Sequence, residues 1–321
     1  MQIVENQSQQ IIKAGAKALK SGNLVAFPTE TVYGLGADAL NEKAVARIFS
    51  IKSRPTFHPL IVHISTILKI TTWAIEIQDY VFDLARDFWP GPMTLILKRS
   101  NLAGNFITGN QETVGLRVPS HPVALNLLNE FESLGGLGIA APSANKFGAV
   151  SPTNSQDVVE EIGSSLDKND LIIDAGQCLI GVESTIIDCT KQKPQILRPG
   201  SVTQELISTS LGFNVNFSVK TNIKAPGVLD SHYSPKAKVV ISSSANAGEG
   251  FIALADVPTP KGAIRLTSPK TIQDYAGELY IAVRKADHLG LDKISVVPPE
   301  GAGLALAVRD RISKMIQKNF G

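Results

Sequence analysis

Hydrophobic positions in the first two thirds of the chain follow two periods, one typical of helices and one typical of strands. Apolar residues that recur at helical spacing predict helices near residues 11–19, 44–49, 80–88, 122–131 and 156–162. Short apolar runs predict strands at residues 24–27, 60–64, 93–97, 114–118, 137–141, 171–173, 185–188 and 195–197. Helices alternate with strands at first and strands cluster later. The pattern therefore predicts an α/β fold, a twisted mixed sheet with flanking helices.

The periodicity fades at residues 213–237, where asparagine, proline, glycine, histidine and tyrosine accumulate. Runs of this length without regular structure are linkers or functional loops. Strands near 239–241, 251–254 and 293–297 and helices within 268–289 and 304–316 follow. We therefore expect a larger domain at 1–212, a linker or lid at 213–237, and a smaller α/β domain of Rossmann-like type at 238–321. Charged residues of the last two helices, including Arg284 and Arg311, are expected to face solvent.

Composition and charge narrow the class of protein. A hydrophobic content of 43% with 19% charged residues is typical of a globular chain, and a net charge of +2 is far from that of a dedicated nucleic-acid binder. The only cysteines, Cys178 and Cys189, form no CxxC motif, which argues against a disulfide framework or a zinc site. Neither a signal-peptide core nor a run of about 18 apolar residues is present. We therefore expect a cytoplasmic protein with no membrane segment.

Familiar catalytic motifs are missing from the sequence, including the Walker phosphate loop, HExxH, GxSxG and GxGxxG. Polar residues instead follow the predicted strands. The first group, PTETVYGLG at residues 28–36, offers hydroxyls, a carboxylate and flexible glycines to a small polar ligand in a crevice at the sheet edge. The same residues also suit an ordinary connection between two elements. Composition alone leaves both interpretations open.

Two further groups carry positive charge. Lys52 and Arg54 suit a triphosphate if both face one anion, although cations at a helix end also interact favourably with the helix dipole. His63 lies in an apolar strand and suits either a ligand site or the core. Arg117 also lies in an apolar strand, where an isolated charge is costly. We expect its partner to be the carboxylate of a ligand or an internal Asp or Glu.

The last groups are loops rich in small polar residues. The run APSAN at 141–145, followed by Ser151, can bring backbone donors close to phosphate or ribose, or it can be a common Ser/Pro/Asn loop. Ser184 enters a strand and Arg198 leaves one beside a tight turn. Because no histidine near Ser184 could act as its base, a nucleophilic triad is not expected. Cys178 is expected to be a small buried residue, since no flanking cation would lower its pKa.

Each of these groups is weak evidence of function by itself, but the order in which they follow one another along the chain is specific. The series PTETVYGLG, KSRP, HPL, FWPGPMTLIL, TVGLRVP, APSANKFGAVSPT, GVESTI and LRPG resembles the YrdC-type threonylcarbamoyl-adenylate synthase family over about residues 8–210. The later run APGVLDSHYSP resembles the linker of its two-domain form, which carries an extra C-terminal α/β domain. The resemblance therefore covers nearly the whole chain.

The resemblance implies an activity and its partners. Members of this family condense L-threonine, bicarbonate and ATP into threonylcarbamoyl-AMP and release pyrophosphate. A partner complex then transfers the threonylcarbamoyl group to the adenosine beside the anticodon of certain tRNAs. A Mg²⁺ ion that bridges the ATP phosphates is expected, held mainly by substrate oxygens and water rather than by metal-ligand residues.

Two alternatives remain open at this stage. One is a double-stranded RNA-binding or ribosome-assembly module, with weak binding of tRNA or double-stranded RNA. The other is a carbamoyl transferase like those that mature hydrogenases, but this sequence lacks the zinc-finger cysteines and the acylphosphatase-like segment of such chains.

Matching motif positions imply a role for individual residues. The catalytic set is Lys52, Arg54, Ser143 and Asn145. The threonine-binding set is Thr31, His63, Arg117 and Ser184. The ATP-binding set is Lys52, Arg54, His58, Thr113, Ala141, Ser143, Asn145, Ser151 and Arg198, and the linker residues His232, Tyr233 and Ser234 would close over the nucleotide. The chain departs from the family pattern at His58, where asparagine is more usual, at Phe147 for serine, and at Val228 for methionine.

Overall fold

The structure is a computed structural model that describes residues 2–5, 9–218, 222–227 and 233–316. In these ranges the chain forms one sheet of eleven strands and one of four. The strands of the larger sheet are β1 (Gln2–Glu5), β2 (Val25–Phe27), β3 (Gly34–Asp38), β4 (Ile61–His63), β5 (Met93–Lys98), β6 (Thr113–Arg117), β7 (Ile139–Ala140), β8 (Leu171–Asp174), β9 (Thr185–Asp188), β10 (Gln195–Arg198) and β11 (Asn216–Phe217). Those of the smaller sheet are β12 (Lys238–Ile241), β13 (Gly250–Ile252), β14 (Ile264–Thr267) and β15 (Lys293–Val296).

The helices are α1 (Gln9–Lys20), α2 (Glu42–Lys52), α3 (Ile70–Trp73), α4 (Asp79–Phe88), α5 (Asn105–Thr108), α6 (Pro122–Ser133), α7 (Ser155–Ile162), α8 (Gln204–Leu211), α9 (Ile272–His288) and α10 (Leu304–Ile316). Seven of these helices lie near predicted positions, whereas α3, α5 and α8 were not predicted. Asn41 caps α2 by accepting from the backbone N–H of Ala44. None of the helices within the described ranges is long and apolar enough to cross a membrane.

The larger sheet is mixed, with the strand order β1-β8-β2-β3-β7-β4-β6-β5-β9-β10-β11. For example, β4 pairs with β6 in parallel, whereas β5 pairs with β6 in antiparallel. The smaller sheet has the order β12-β15-β13-β14, and all its pairs are parallel. The predicted fold class, a mixed sheet with flanking helices plus a smaller α/β domain, is confirmed.

The domain boundaries at 212 and 237 stay a prediction, and β11 lies inside the predicted linker, where it pairs with β10. The sequence pattern also missed β3, which begins at Gly34 in the polar run 28–36 and ends at Asp38. A Cβ atom at Gly36 would lie 2.8 Å from both Ile139 and Phe27, so this strand packs its backbone closely. Because glycine has no side chain, a strand that contains such glycines shows no apolar alternation in its sequence.

Two hydrophobic cores meet where the two units touch. The core of the smaller unit contains residues of α9 and α10, such as Leu279 and Ile312. The same cluster includes Val32, Val150 and Val182 from the larger unit. The apolar packing is therefore continuous between the units at this point.

Candidate active site

A cavity lies against one face of the larger sheet. His63 at the end of β4 and Arg117 at the end of β6 are register partners on parallel strands, and both line it. Ile61, two residues before His63, lines it as well. Residues two apart on a strand project from the same face, so the cavity lies over the sheet. Thr31 and Gly34 of the run 28–36 also line this cavity, beside the carboxyl ends of β4 and β6.

Most of the predicted site residues meet in this cavity, although they are scattered along the sequence. The predicted residues that line it are Thr31, Arg54, His63, Arg117, Ala141, Ser143, Asn145, Ser151, Ser184, Arg198 and Tyr233. All four residues that the resemblance assigns to threonine are among them. Glu183, Pro226 and Gly227 line it too, without having been assigned a role.

Arg117 has an internal partner. Its Nη2 forms an ion pair with Oε1 of Glu30 at 2.7 Å and donates to Thr31 Oγ1 at 3.1 Å. Glu30 Oε2 accepts from the backbone N–H of Ser120, so this buried carboxylate is held from two sides. Among the residues that the structure describes, none accepts a hydrogen bond from Arg117 Nη1. Arg117 Nη1 could therefore donate hydrogen bonds to a carboxylate bound in the cavity.

The neighbours of Arg117 are neutral polar groups. Burial, and then the positive charge of Arg117, lower the pKa of His63 from its usual 6.5 to about 3, so its imidazole is neutral at physiological pH. Its Nδ1 is buried with no hydrogen-bond partner in the described part of the chain. Ser184 Oγ shares a hydrogen bond with Thr94 Oγ1 and accepts from Arg198. A cation with hydroxyls and a neutral imidazole suits the carboxylate and amine of an amino acid.

The low pKa of His63 predicts a loss of stability in acid. Unfolded His63 takes up a proton below about pH 6.5, whereas folded His63 stays neutral until about pH 3. In this window the residue lowers the free energy of unfolding by about 1.4 kcal/mol for each unit of falling pH. Denaturant unfolding of the wild type and of His63→Gln between about pH 6.5 and pH 4.5 checks this. We expect a shallower pH dependence in the variant, and equal slopes would contradict the assignment.

Arg54 faces the cavity from another side. Its Nη2 donates to the carbonyl of Pro59 at 3.0 Å, its Nε has no partner in the described chain, and its guanidinium lies 5.7 Å from the centre of the Phe147 ring. Burial lowers the pKa of Arg54 to about 10, so it remains charged at neutral pH. Arg198 also lines the cavity and donates to the carbonyl of Ser184 through Nε and Nη2. These two guanidinium groups give the cavity a positive potential.

Arg54 lines the cavity, whereas Lys52 is not among the residues that line it. Ser53 ends α2 in the left-handed conformation, with φ of 51°, and so separates the directions of the two side chains. The Lys52 ammonium is buried and donates to the carbonyls of Ser143, at 2.6 Å, and Asn145. Burial, and then the nearby charge of Arg54, lower the pKa of Lys52 well below its usual value. Lys52 therefore holds the loop that carries Ser143 and Asn145.

Two departures from the family pattern pack against each other. The rings of His58 and Phe147 meet edge to face with centroids 5.1 Å apart, and Phe57 lies on the other side of His58 at 4.6 Å. Burial, and then the charges of Arg54 and Lys224, lower the pKa of His58 to about 4. His58 is thus a neutral member of an aromatic cluster beside Arg54, and it is not among the residues lining the cavity.

Three other predicted ATP ligands are not shown in the cavity. Thr113 begins β6, four residues before Arg117 and about 13 Å away along an extended strand. It lines a separate surface depression with Lys98 and Lys191. Ser234 is placed beside the site by a hydrogen bond from its backbone N–H to the carbonyl of Gly148. His232 and Val228 lie outside the described residues.

Sequence reasoning missed two residues that join the units. Arg284 and Arg311 are buried rather than solvated, so that expectation is wrong. Arg284 pairs with Glu161 of α7 at 3.1 Å, and Arg311 pairs with Glu183 at 2.7 Å. A signal was present for Arg311, because it follows Val308 at helical spacing and therefore shares the apolar stripe of α10.

Metal-ligating side chains do not gather in the described part of the chain. No group of three or more His, Cys, Asp or Glu residues there is placed to hold a metal ion. The carboxylates nearest the cavity, Glu30 and Glu183, are already paired with arginines. This donor set fits a cation that is carried by the phosphates of a nucleotide rather than by the protein.

Comparison with known proteins identifies the family to which the chain belongs. The family model for Sua5, YciO and YrdC, described as telomere recombination, matches residues 17–200. A second model, described as the C-terminal domain of threonylcarbamoyl-AMP synthase, matches residues 202–315. Together the two matches include every strand of both sheets except β1.

Whole-chain relatives agree with the two models. The threonylcarbamoyl-AMP synthase of Pyrococcus abyssi is 39% identical, with 98% of this chain and 97% of that protein covered. The threonylcarbamoyl-AMP synthase of Bacillus subtilis is 34% identical, with 95% and 92% covered. The crystal structure of P. abyssi Sua5 complexed with L-threonine superposes with a TM-score of 0.88 and 36% identity, covering 98% of each chain. The chain therefore belongs to the Sua5 family of threonylcarbamoyl-AMP synthases, in its two-domain form.

Proposed function

We propose that this chain joins L-threonine, bicarbonate and ATP into threonylcarbamoyl-AMP, releases pyrophosphate, and so supplies the group that modifies tRNA. One observation carries the proposal: a single cavity holds Arg117 with neutral polar groups beside Arg54, Ser143 and Ser151. The cavity therefore offers groups suited to an amino acid and groups suited to a nucleotide. The threonine-bound structure of the P. abyssi relative supports the first of these ligands.

In the proposed first step, the amine of threonine attacks bicarbonate to form a carbamate, and water leaves. Arg117 would hold the threonine carboxylate with the nitrogen that no described residue occupies. Thr31 and neutral His63 would orient the amine and the side-chain hydroxyl. A neutral imidazole can accept a hydrogen bond from the amine, which a protonated imidazole could not do.

In the second step, a carbamate oxygen attacks the α-phosphorus of ATP, and the bond to the β-phosphate breaks with its electron pair leaving on pyrophosphate. The charges of Arg54 and Arg198 would stabilise the departing anion, while Ser143 and Asn145, on the loop held by Lys52, would position the phosphates. Magnesium bound to the phosphates would neutralise part of their charge. The mechanism requires no protein nucleophile.

The described side chains are consistent with a mechanism that uses no protein nucleophile. The Ser184 hydroxyl is engaged with Thr94 and Arg198, and no histidine hydrogen-bonds to it in the described chain. Burial raises the pKa of the Cys178 thiol, so it is not a thiolate at physiological pH. Positioning and charge are the contributions that this cavity offers.

Burial of the cations also bears on the RNA-binding alternative. Lys52, Arg117 and Arg198 expose 1%, 4% and 3% of their surface, so they cannot contact the phosphates of a double helix. Transfer to tRNA by a partner complex is part of the proposal and rests on the family. Weak tRNA binding would have to use other residues.

Pyrophosphate release by the purified chain tests the proposal. We expect release only when ATP, L-threonine and bicarbonate are all present, because the carbamate is the nucleophile. Omitting either threonine or bicarbonate is the matched control. An RNA-binding module would instead retain double-stranded RNA in a salt-dependent manner and release no pyrophosphate. Pyrophosphate release that does not depend on threonine would contradict the proposed reaction.

A further inference from the structure

A buried carboxylate lies between the two units, at the wall of the cavity. Glu183, in the loop before β9, accepts at Oε1 from Ser151 Oγ at 2.7 Å and at Oε2 from Arg311 Nε at 2.7 Å. The Tyr280 hydroxyl donates to Oε2 at 3.0 Å. Burial alone would raise the pKa of Glu183, but the guanidinium groups of Arg311 and Arg198 lower it to about 2. The group is therefore an ionised acceptor.

Two of its three side-chain donors come from the C-terminal unit. Tyr280 lies on α9 and Arg311 on α10, and both side chains are fully buried. Arg311 also donates through Nη2 to the carbonyl of Pro199 at 3.1 Å. Helices of the smaller unit thus donate hydrogen bonds into the wall of a cavity that lies in the larger one.

The same two residues fix another cavity-lining side chain. The ring of Tyr233 stacks on Tyr280 with centroids 5.6 Å apart, and the Arg311 guanidinium lies 5.5 Å from its centre. Tyr233 has a positive φ of 68°, a conformation that surrounding contacts must stabilise. The C-terminal unit therefore contacts both Glu183 and Tyr233.

The network also determines to which group Ser151 donates its hydroxyl hydrogen. An ionised carboxylate can only accept, so the single hydroxyl hydrogen of Ser151 is donated to Glu183. Its oxygen then presents lone pairs to the cavity. An acceptor in this place suits a ribose hydroxyl of the nucleotide rather than a phosphate oxygen.

Joining two units does not by itself require this arrangement. Well-packed apolar residues hold interfaces as firmly as buried ion pairs do, and Val150 and Val182 already pack against the C-terminal core. What the charged network adds is a fixed orientation for Glu183, Ser151 and Tyr233. All three line the cavity.

We propose that Tyr280 and Arg311 are positioning residues for the nucleotide half of the active site. They act through Glu183 on Ser151 and by direct contact on Tyr233, so the ATP site is complete only with the C-terminal unit docked. This inference deepens the proposed function and rests on it. Among the described residues, none of this network hydrogen-bonds to Arg117, the proposed ligand of the threonine carboxylate.

Tyr280→Phe in the full chain is the sharpest variant, because it keeps the ring on Tyr233 and removes only the hydroxyl that donates to Glu183. We expect KM for ATP to rise about tenfold, the size associated with losing a hydrogen bond to a charged group. KM for threonine should stay within about twofold, because the threonine residues are untouched. Steady-state pyrophosphate release measures both constants.

Tyr275→Phe is the matched control. Tyr275 is another buried tyrosine of α9, but its hydroxyl donates to the carbonyl of Val297, inside the C-terminal unit. We expect this variant to keep the wild-type KM for ATP. Equal effects of the two substitutions on KM for ATP would show a merely structural role and overturn the inference.

A second test separates folding from positioning. Arg311→Met removes the guanidinium that is ion-paired with buried Glu183, and this single variant is expected to unfold at a lower temperature. Combining Arg311→Met with Glu183→Gln removes both charges and should restore the melting temperature while KM for ATP stays high. A double variant that regains the wild-type KM for ATP would overturn the positioning role.

The outcomes also separate the inference from the proposed function. A wild-type chain that forms no threonylcarbamoyl-AMP contradicts the proposed function, and the inference falls with it. A wild-type chain that forms the product, beside a Tyr280→Phe variant with unchanged KM for ATP, contradicts the inference alone.

Discussion

Arg54→Ala is expected to lower kcat/KM for ATP by about a thousandfold while the protein remains folded. The guanidinium is buried, charged and preorganised beside the place where pyrophosphate would depart, and removing one such group typically costs a factor of about 10²–10³ in kcat. Within the described residues its side chain donates one hydrogen bond, to the carbonyl of Pro59, and lies over the Phe147 ring. Steady-state pyrophosphate release and a thermal unfolding scan measure the two effects.

Arg99→Ala is the control for this variant. Arg99 also donates to a backbone carbonyl, that of Ala103 at 2.9 Å, but it lies outside the cavity. We expect it to keep near wild-type activity. If Arg54→Ala retained full activity, or if both substitutions reduced activity equally, the role given to Arg54 would be wrong.

Threonine binding is expected to weaken strongly when the Arg117–Glu30 pair is replaced by neutral residues. Arg117→Met alone would leave Glu30 as a buried, unpaired carboxylate and destabilise the fold by about 3–5 kcal/mol. The double variant Arg117→Met with Glu30→Gln removes both charges and should fold. We expect its Kd for L-threonine to rise at least about a hundredfold, because the guanidinium that would bind the carboxylate is removed.

Calorimetric titration with L-threonine and, separately, with ATP measures this effect. ATP binding is the internal control, since Arg54 and Arg198 are unchanged in the double variant and ATP should bind within about threefold of the wild type. A double variant that binds L-threonine as tightly as the wild type would rule out Arg117 as the carboxylate ligand.

The sequence predicted much of the fold because apolar periods report burial directly. Helix α6 and strand β9 lie where periodicity placed them. The cavity was also predictable in part. Motifs far apart in the chain meet there because they lie on or next to neighbouring strands, as His63 and Arg117 do.

What the sequence could not show depends on local geometry and on tertiary contacts. The left-handed Ser53 turns Lys52 away from Arg54, and no spacing rule for two nearby cations contains that information. Arg117 is paired with Glu30, one of two partners that sequence reasoning had left open. Arg311 was assigned to solvent because it carries charge, although its place on the apolar stripe of α10 indicated burial.

Mass spectrometry of the reaction mixture tests the central claim most directly. The purified chain would be mixed with ATP, Mg²⁺, L-threonine and 13C-labelled bicarbonate, and the products separated and weighed. We predict threonylcarbamoyl-AMP that carries the 13C label, formed together with pyrophosphate. A folded chain that binds both ATP and threonine yet forms no labelled adenylate would contradict the account.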